Sequence, residues 1–201
     1  MQLRREFLAA VLAVAMAAPA VAQQAPTARL RGTLEAVTPT QLTLRQRNGD
    51  KVDLAIAPSL AITEVYPVQL ADVRAGSFVG VGAMPQADGT QRAIAVTVFP
   101  ETMRGTGEGH RPFDFLPQST MTNATVAEVA ASPDGERLQV RYQGGQQVIV
   151  VPPGTPVVSL RPADRSLLVP GAAVALTAAE VGGQPTVTRI SAGRNGFAPP
   201  Y

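Results

Sequence analysis

Cysteine and tryptophan are absent from this chain of 201 residues, and histidine occurs only once, as His110. Without cysteine the chain can form no disulfide, offer no thiolate to a metal and carry no lipid on a cysteine. Stability must therefore come from the burial of apolar groups. A single histidine also means that a serine-type catalytic triad could be built only around His110.

Aromatic residues make up only 4% of the chain, and the formal net charge is just +2. Proteins that bind single-stranded nucleic acid stack bases on aromatic side chains within a positive groove. A charge this close to zero also creates too weak a field to attract a polyanion. We therefore expect no nucleic-acid partner.

Signatures of catalysis and of nucleotide binding are missing as well. The chain contains no G-x-S-x-G nucleophile elbow, no complete G-x-G-x-x-G and no G-x-x-x-x-G-K-[ST] phosphate loop. The sequence thus predicts a protein that is not an enzyme, with no cofactor other than a possible divalent metal, discussed below.

The first 22 residues have the pattern of a signal peptide. Arg4 and Arg5 precede an alanine-rich apolar run, and Ala20-Val21-Ala22 is a small-x-small cleavage site before Gln23. The paired arginines followed by "EFL" fit a twin-arginine signal, while an ordinary Sec signal remains the alternative. The apolar run is shorter than the roughly 20 residues of a spanning helix. We expect a periplasmic or secreted protein whose mature chain does not insert into a membrane.

Alternating apolar and polar residues, with 18 glycines and 18 prolines, predict many short strands separated by turns. In "QLTLRQRNGDKVDLAI" the alternation runs on both sides of Asn48-Gly49, which is a strong hairpin signal. A similar pattern, "RLQVRYQGGQQVIVV", places Leu138 and Gly145 at 96 positions after Leu42 and Gly49 (138 − 42 and 145 − 49). We interpret the two halves as a repeat. The alternation predicts that the inward-facing residues are Leu42, Leu44, Val52 and Leu54 in the first half and Leu138, Val140, Val148 and Val150 in the second.

Each half reads as five strands with a helical turn after the third, the order and size of a small OB-like barrel. The predicted fold is all-β, with two tandem five-stranded OB-like barrels and a long ordered connector; a split sandwich is the alternative. The predicted strands lie near 29–37, 41–47, 51–56, 78–83 and 91–99, and near 124–131, 137–142, 146–151, 172–178 and 186–192. The predicted domains are a signal peptide at 1–22, barrels at 28–100 and 123–193, a connector at 101–122 and a tail at 194–201.

The joining segment "RGTGEGHRPFDFLPQSTMTNAT" and the ending "GRNGFAPPY", together with the paired hairpin units, resemble a family of exported bacterial proteins of unknown function. The resemblance covers essentially the whole mature chain and implies tandem OB-like domains and export. It implies no activity. Some members carry a metal-transporter permease label, which would require spanning helices that this sequence lacks.

The connector holds the candidate metal ligands Glu108, His110 and Asp114. Imidazole and carboxylate groups suit zinc or a similar divalent cation. Alternatively, these side chains hydrogen-bond to the backbone and pair with neighbouring arginines. A copper site combining His110 with Met103 and Met121 is a further alternative, because thioethers favour copper(I).

Arginines are the other candidate ligand-binding groups. A groove between two barrels would bring Arg104, His110 and Arg111 of the connector near the facing strands, and Phe113 is a further candidate in the same segment. On the second and third strands of the barrels, Arg45 and Arg141 point outward, either toward an anionic ligand or into solvent. The sequence favours an exported, non-catalytic binding or scaffold protein whose partner is an unknown periplasmic protein or small ligand. A periplasmic metal-handling protein that binds a divalent cation or copper through the connector is the alternative.

Overall fold

The computed structural model describes residues 27–201, and the predicted signal peptide at 1–22 lies outside them. The described residues are all-β, as predicted, with three single turns of 3-10 helix at Leu70–Asp72, Glu101–Met103 and Arg165–Leu167. No helix within this range is long and apolar enough to cross a membrane. The strands are β1 (Thr27–Val37), β2 (Gln41–Gln46), β3 (Lys51–Pro67), β4 (Phe78–Pro85), β5 (Gln91–Val98), β6 (Gly109–Pro112), β7 (Thr120–Ser132), β8 (Gly135–Tyr142), β9 (Gly145–Val151), β10 (Val157–Pro162), β11 (Ala173–Val181) and β12 (Gln184–Ala192).

Five of these strands pair in a closed ring, which we call barrel 1. Strands β1, β2 and β3 form an antiparallel meander, and β3 pairs in parallel with β12. Strand β11 then joins β12 back to β1. The interior of barrel 1 is aliphatic, and Leu34, Leu44 and Ile190 are almost completely buried in it.

A second set of five strands, which we call barrel 2, pairs in the same way. Strands β7, β8 and β9 form the meander, β9 pairs in parallel with β5, and β4 joins β5 back to β7. Its separate aliphatic interior includes Val79, Val81, Leu138 and Ile149. Closing both rings leaves few unpaired strand edges for another chain to extend.

The composition of each ring differs from the predicted boundaries at 28–100 and 123–193. Each three-strand meander closes with the two-strand hairpin of the other half: β1 to β3 with β11 and β12, and β7 to β9 with β4 and β5. Barrel 2 is thus continuous in sequence and lies between the two parts of barrel 1. Alternation specifies which face of a strand is buried but not which hairpin covers it, so the exchange leaves no local signal.

Strand β10, which is absent from the prediction, and an extension of β3 beyond its predicted end connect the rings. The far end of β3, beyond Ile56, pairs with β10, and β10 also pairs in parallel with β5 of barrel 2. Beneath this junction Glu64 is nearly fully buried and binds the guanidinium groups of Arg161 and Arg194. The two barrels are therefore linked by a continuous set of paired strands.

The predicted connector at 101–122 is ordered, but it is not a separate segment. Its helical turn leads into β6, which pairs with β7, and β7 already begins at Thr120. Phe113 and Phe115, between β6 and β7, stack on each other with ring centroids 6.1 Å apart. The connector therefore forms part of the surface of barrel 2 that faces barrel 1.

The residues of β9 that face the barrel 2 interior are shifted by one position from those predicted. The pattern placed Val148 and Val150 inside, whereas Ile149 and Val151 occupy the barrel 2 interior. The β8–β9 hairpin turns at Gln143 and Gly144, with Tyr142 opposite Gly145. Gly144, not Gly145, has the positive φ of +92° that Gly49 has in the first hairpin. A one-residue slip moves every side chain of a strand to the other face.

Candidate functional site

A cleft of about 270 Å³ lies where barrel 1, barrel 2 and the connector meet. This volume is close to the lower end of the range for small-molecule sites, which is roughly 300 to 1,000 Å³. Much of the wall is apolar and comes from strands of both barrels and from the tail. The apolar lining includes Val65, Phe99, Phe113, Met121, Val158, Leu160, Pro199, Pro200 and Tyr201.

Three arginines line the same cleft. Arg29 and Arg31 are two residues apart on β1 and so point to the same side of the strand. Arg111 reaches the cleft from β6, where it lies opposite Met121 of β7. Barrel 1 and the connector therefore contribute positive charge from two directions.

Arg31 is held firmly in place. Its Nη2 donates to Asp114 Oδ1 at 2.8 Å, and its guanidinium carbon lies 5.6 Å and 5.7 Å from the ring centroids of Phe113 and Phe115. The hydrogen bond from Arg31 lowers the pKa of the Asp114 carboxyl, so this carboxylate stays ionised. Charge pairing and stacking together fix Arg31 on the aromatic side of the cleft.

Arg111 has no carboxylate partner. Its Nη1 donates to the carbonyl of Gly107 at 2.7 Å, and it forms no salt bridge with any residue of the range 27–201. Burial lowers the pKa of Arg111, and the nearby charge of Arg29 lowers it further. The two guanidinium groups are thus close enough to repel each other across the cleft.

Tyr201 packs at the inner end of the cleft. Its hydroxyl lies 2.9 Å from Thr97 Oγ1, and its ring packs edge-on against Phe113 with centroids 5.3 Å apart. Gly82 lies directly beneath, because a Cβ at that position would be 3.1 Å from the Tyr201 ring. The C-terminal tail is therefore docked between the barrels.

Two buried polar atoms in residues 27–201 lack a hydrogen-bond partner, and both belong to residues that line the cleft. They are Arg31 Nε and Asn123 Oδ1. Asn123 donates its amide to the carbonyl of Thr106 at 2.8 Å, which turns Oδ1 toward Gly80. Each such atom costs about 1 to 3 kcal/mol relative to a satisfied one.

Of the predicted ligand-binding residues, the structure brings Arg111 and Phe113 to the cleft and leaves three elsewhere. Arg104 binds Glu101 and donates to the carbonyl of Gly76 at 2.9 Å. Arg45 is paired with Glu35 on the outside of barrel 1. Arg141 is exposed on β8 and lies outside the cleft lining.

The structure does not bring Glu108, His110 and Asp114 together. Glu108 accepts a hydrogen bond from the Gln143 backbone at 3.0 Å, and His110 Nδ1 lies 2.8 Å from Thr122 Oγ1. Asp114 is on the opposite side, bound to Arg31. Neighbouring residues of a strand face opposite ways, so His110 points away from the cleft that Arg111 faces.

No cluster of three or more potential metal-ligating side chains occurs within residues 27–201. Burial lowers the pKa of His110, so the imidazole remains neutral near pH 7. In the proposed copper site, Met121 faces the cleft whereas His110, paired across from Thr122, faces the other side of β6. Neither metal hypothesis from the sequence gains a ligand set from this geometry.

Sequence reasoning missed Arg29, Arg31, Asn123 and Tyr201 as site residues. One signal was present, because "ARLRG" places two arginines on one face of β1 between apolar residues of the other face. Comparison of the chain with protein-family models, with curated proteins and with solved structures found no match to any of them.

Proposed function

We propose that this protein is a non-catalytic binding protein that holds a small ligand in the cleft between barrel 1 and barrel 2. The observation that carries the proposal is the location of the two unsatisfied buried polar atoms, Arg31 Nε and Asn123 Oδ1, both in cleft-lining residues. Buried polar groups in folded proteins are nearly always paired, so an unpaired one calls for a specific explanation, such as a partner that binds there. The apolar wall and the junction between two barrels are also typical of ligand sites.

Among residues 27–201, the cleft lining brings no acid and base together as a pair, which favours binding over catalysis. His110 faces the other side of β6, and Asp114 is committed to Arg31. General acid–base chemistry needs a titratable group within hydrogen-bond reach of the substrate. An unbiased hydrolase screen that gave reproducible turnover would contradict this part of the proposal.

We also propose that both barrels are OB-like. When the meander strands are numbered one to three and the hairpin strands four and five, each ring has the order 1-2-3-5-4, with only strands three and five parallel; in barrel 2 the hairpin precedes the meander along the chain. This is the arrangement expected for a small five-stranded Greek-key barrel. The grouping of three meander strands with an exchanged hairpin preserves that order in both rings.

Filling the cleft should remove the ligand. Ala175 lines the cleft from β11, and Ala131 is exposed at the end of β7. Native mass spectrometry of protein purified from its own host should show an added mass in the wild type and in Ala131→Phe. Ala175→Phe should lose it because the ring occupies the ligand's space. An added mass that persists in Ala175→Phe, or that is absent from the wild type, would contradict the proposal.

Export to the periplasm is the proposed location, and it rests on the leader pattern alone. We expect the mature protein to begin at Gln23, after Ala20-Val21-Ala22. N-terminal sequencing of protein from the periplasmic fraction tests this. Replacing Arg4 and Arg5 together by lysine should block a twin-arginine route and leave a Sec route working. An uncleaved chain retained in the cytoplasm would contradict export.

A further inference from the structure

The arginines of the cleft carry more positive charge than their surroundings neutralise. Arg31 and Arg29 share Asp114, at 2.8 Å and 3.9 Å, whereas Arg111, which lines the same cleft, forms no salt bridge within residues 27–201. Three cations and one anion leave a net charge of about +2 in a partly apolar space. The charge of the whole chain is almost balanced, so this excess is a local feature.

Several other arginines of the described range are paired with carboxylates. Arg45 shares Glu35 with Lys51, Arg104 is paired with Glu101, and Arg161 is paired with the buried Glu64. Arg111, by contrast, is only partly buried, and within residues 27–201 its guanidinium meets a backbone carbonyl and no carboxylate. Partial burial already disfavours an unpaired charge, so an anion bound beside Arg111 would be stabilised there.

Positive charge continues beyond the cleft along barrel 1. Arg29 and Arg31 also line a neighbouring cavity of about 250 Å³, together with Arg189 of β12. Arg47 reaches over the Phe115 ring, with its guanidinium carbon 5.1 Å from the ring centroid. A negatively charged group approaching from this side would meet a favourable field before it reached Arg111.

We propose that the ligand of this cleft is a small organic oxyanion, a carboxylate or phosphate with an apolar body. The oxyanion lies between the guanidinium groups of Arg29 and Arg111, and the apolar body packs on Met121, Phe113 and the Tyr201 ring. Guanidinium groups match the paired oxygens of carboxylates and phosphates. Arg31 completes the positive side while Asp114 holds it in place. This inference rests on the proposed function, because it names the chemistry of that same cleft.

Four small probes with one phenyl ring test the charge requirement. Phenylacetate and phenyl phosphate represent the two oxyanions, and benzyl alcohol and benzylamine are neutral and cationic counterparts of similar size. Calorimetric titration of the full chain should show binding of at least one anion and at least 10-fold weaker binding of both counterparts. Binding of the anion should weaken as sodium chloride rises, because salt screens the charges.

Matched arginine variants locate the site. Arg111→Gln should weaken anion binding about 10- to 100-fold, the usual effect of losing a charge-assisted hydrogen bond. Arg29→Gln, at a more exposed position whose nearest carboxylate is Asp114 at 3.9 Å, keeps the test valid if Arg111→Gln folds poorly, and should weaken binding about 3- to 10-fold. Arg141→Gln removes the same charge from the exposed face of β8 and should leave binding unchanged.

Several results would overturn the inference. It fails if neither anion binds at millimolar concentration, if benzyl alcohol binds as tightly as phenylacetate, or if Arg111→Gln and Arg141→Gln behave alike. Failure of the inference and failure of the proposed function remain distinguishable. A neutral or cationic ligand displaced by Ala175→Phe would keep the cleft as a binding site and overturn the oxyanion. If anion binding depends on Arg111 but protein purified from its host carries no ligand, the oxyanion preference stands and the claim that the protein holds a ligand in its host is overturned.

Discussion

Replacing Ile190 by alanine is expected to lower the free energy of unfolding by about 2 to 5 kcal/mol and to loosen strands β1 to β3. Ile190 belongs to the second half of the sequence, but its side chain is buried in barrel 1 against residues of the first half. The cavity left by the lost atoms therefore opens in barrel 1. Chemical denaturation measures the loss, and native-state hydrogen exchange should show reduced protection of residues 41–56.

A control and a contrary outcome follow from the same geometry. Val181→Ala removes apolar atoms from the exposed end of β11, where the residue is 56% exposed, and should change stability by no more than about 0.5 kcal/mol. If each half closed on itself, Ile190→Ala would reduce protection in β7 to β9 and leave β1 to β3 unaffected. That pattern would contradict the exchanged hairpins.

Cysteine pairs give an independent measure of the exchange, because the native chain has no cysteine to interfere. Thr33 of β1 lies opposite Ala173 of β11, and opposite residues of antiparallel strands are close enough for a disulfide. Thr33→Cys with Ala173→Cys should therefore oxidise within one molecule. Thr125→Cys with Ala173→Cys, the pair expected for self-contained halves, should not, because Thr125 lies opposite Phe78.

The sequence was informative about strands because alternation is a local property. Leu42, Leu44 and Leu54 were predicted to face inward and are buried in barrel 1. The sequence does not indicate which hairpin closes each meander, because hairpins β4–β5 and β11–β12 are similar in length and alternation. Either could close either ring on pattern alone. The choice between them depends on packing across the whole molecule.

The misplaced inward residues of β9 show how little separates a correct register from a wrong one. Aligning Gly145 with Gly49 implied that the two hairpin turns correspond at an offset of 96, whereas the positive-φ glycine of the second turn is Gly144. Two adjacent glycines leave that choice open in the sequence. The turn conformation decides it, and the turn then sets the faces of all the following residues.

The sequence identified cleft residues only in the connector, where charged and aromatic side chains lie close together in one long segment. Arg111 and Phe113 stood out because the connector is long and carries costly apolar groups. Arg29 and Arg31 lie on β1 and reach the cleft only because barrel 1 faces the connector. The metal hypothesis assumed that Glu108, His110 and Asp114 lie together because they are close in sequence. Neighbouring residues of a strand point to opposite sides, so His110 on β6 points away from the cleft that Arg111 faces.

Replacing Tyr201 by alanine is expected to lower the free energy of unfolding by about 2 to 4 kcal/mol. The ring packs on Phe113 and Phe115, and the hydroxyl is hydrogen-bonded to Thr97, so the change removes contacts among β5, the connector and the tail. Denaturant unfolding measures the loss. Tyr201→Phe keeps the ring and should cost only about 0.5 to 1.5 kcal/mol. Equal losses in the two variants would show that the ring does not support the cleft.

The ionisation of the Tyr201 phenol is expected to make the free energy of unfolding depend on pH above 10. Burial raises the pKa of its phenol to about 12, against about 10 in an unfolded chain. Between these values the unfolded state releases the proton and the folded state keeps it, so stability falls as pH rises from 10 to 12, by about 2 to 3 kcal/mol. Tyr201→Phe should lack that part of the alkaline loss. In a Tyr66→Phe, Tyr142→Phe variant, Tyr201 is the remaining tyrosine, so ultraviolet absorbance should report the ionisation of its phenol alone. A titration midpoint near 10 in the folded protein would mean that water reaches the phenol, and it would contradict the burial of Tyr201 between the barrels.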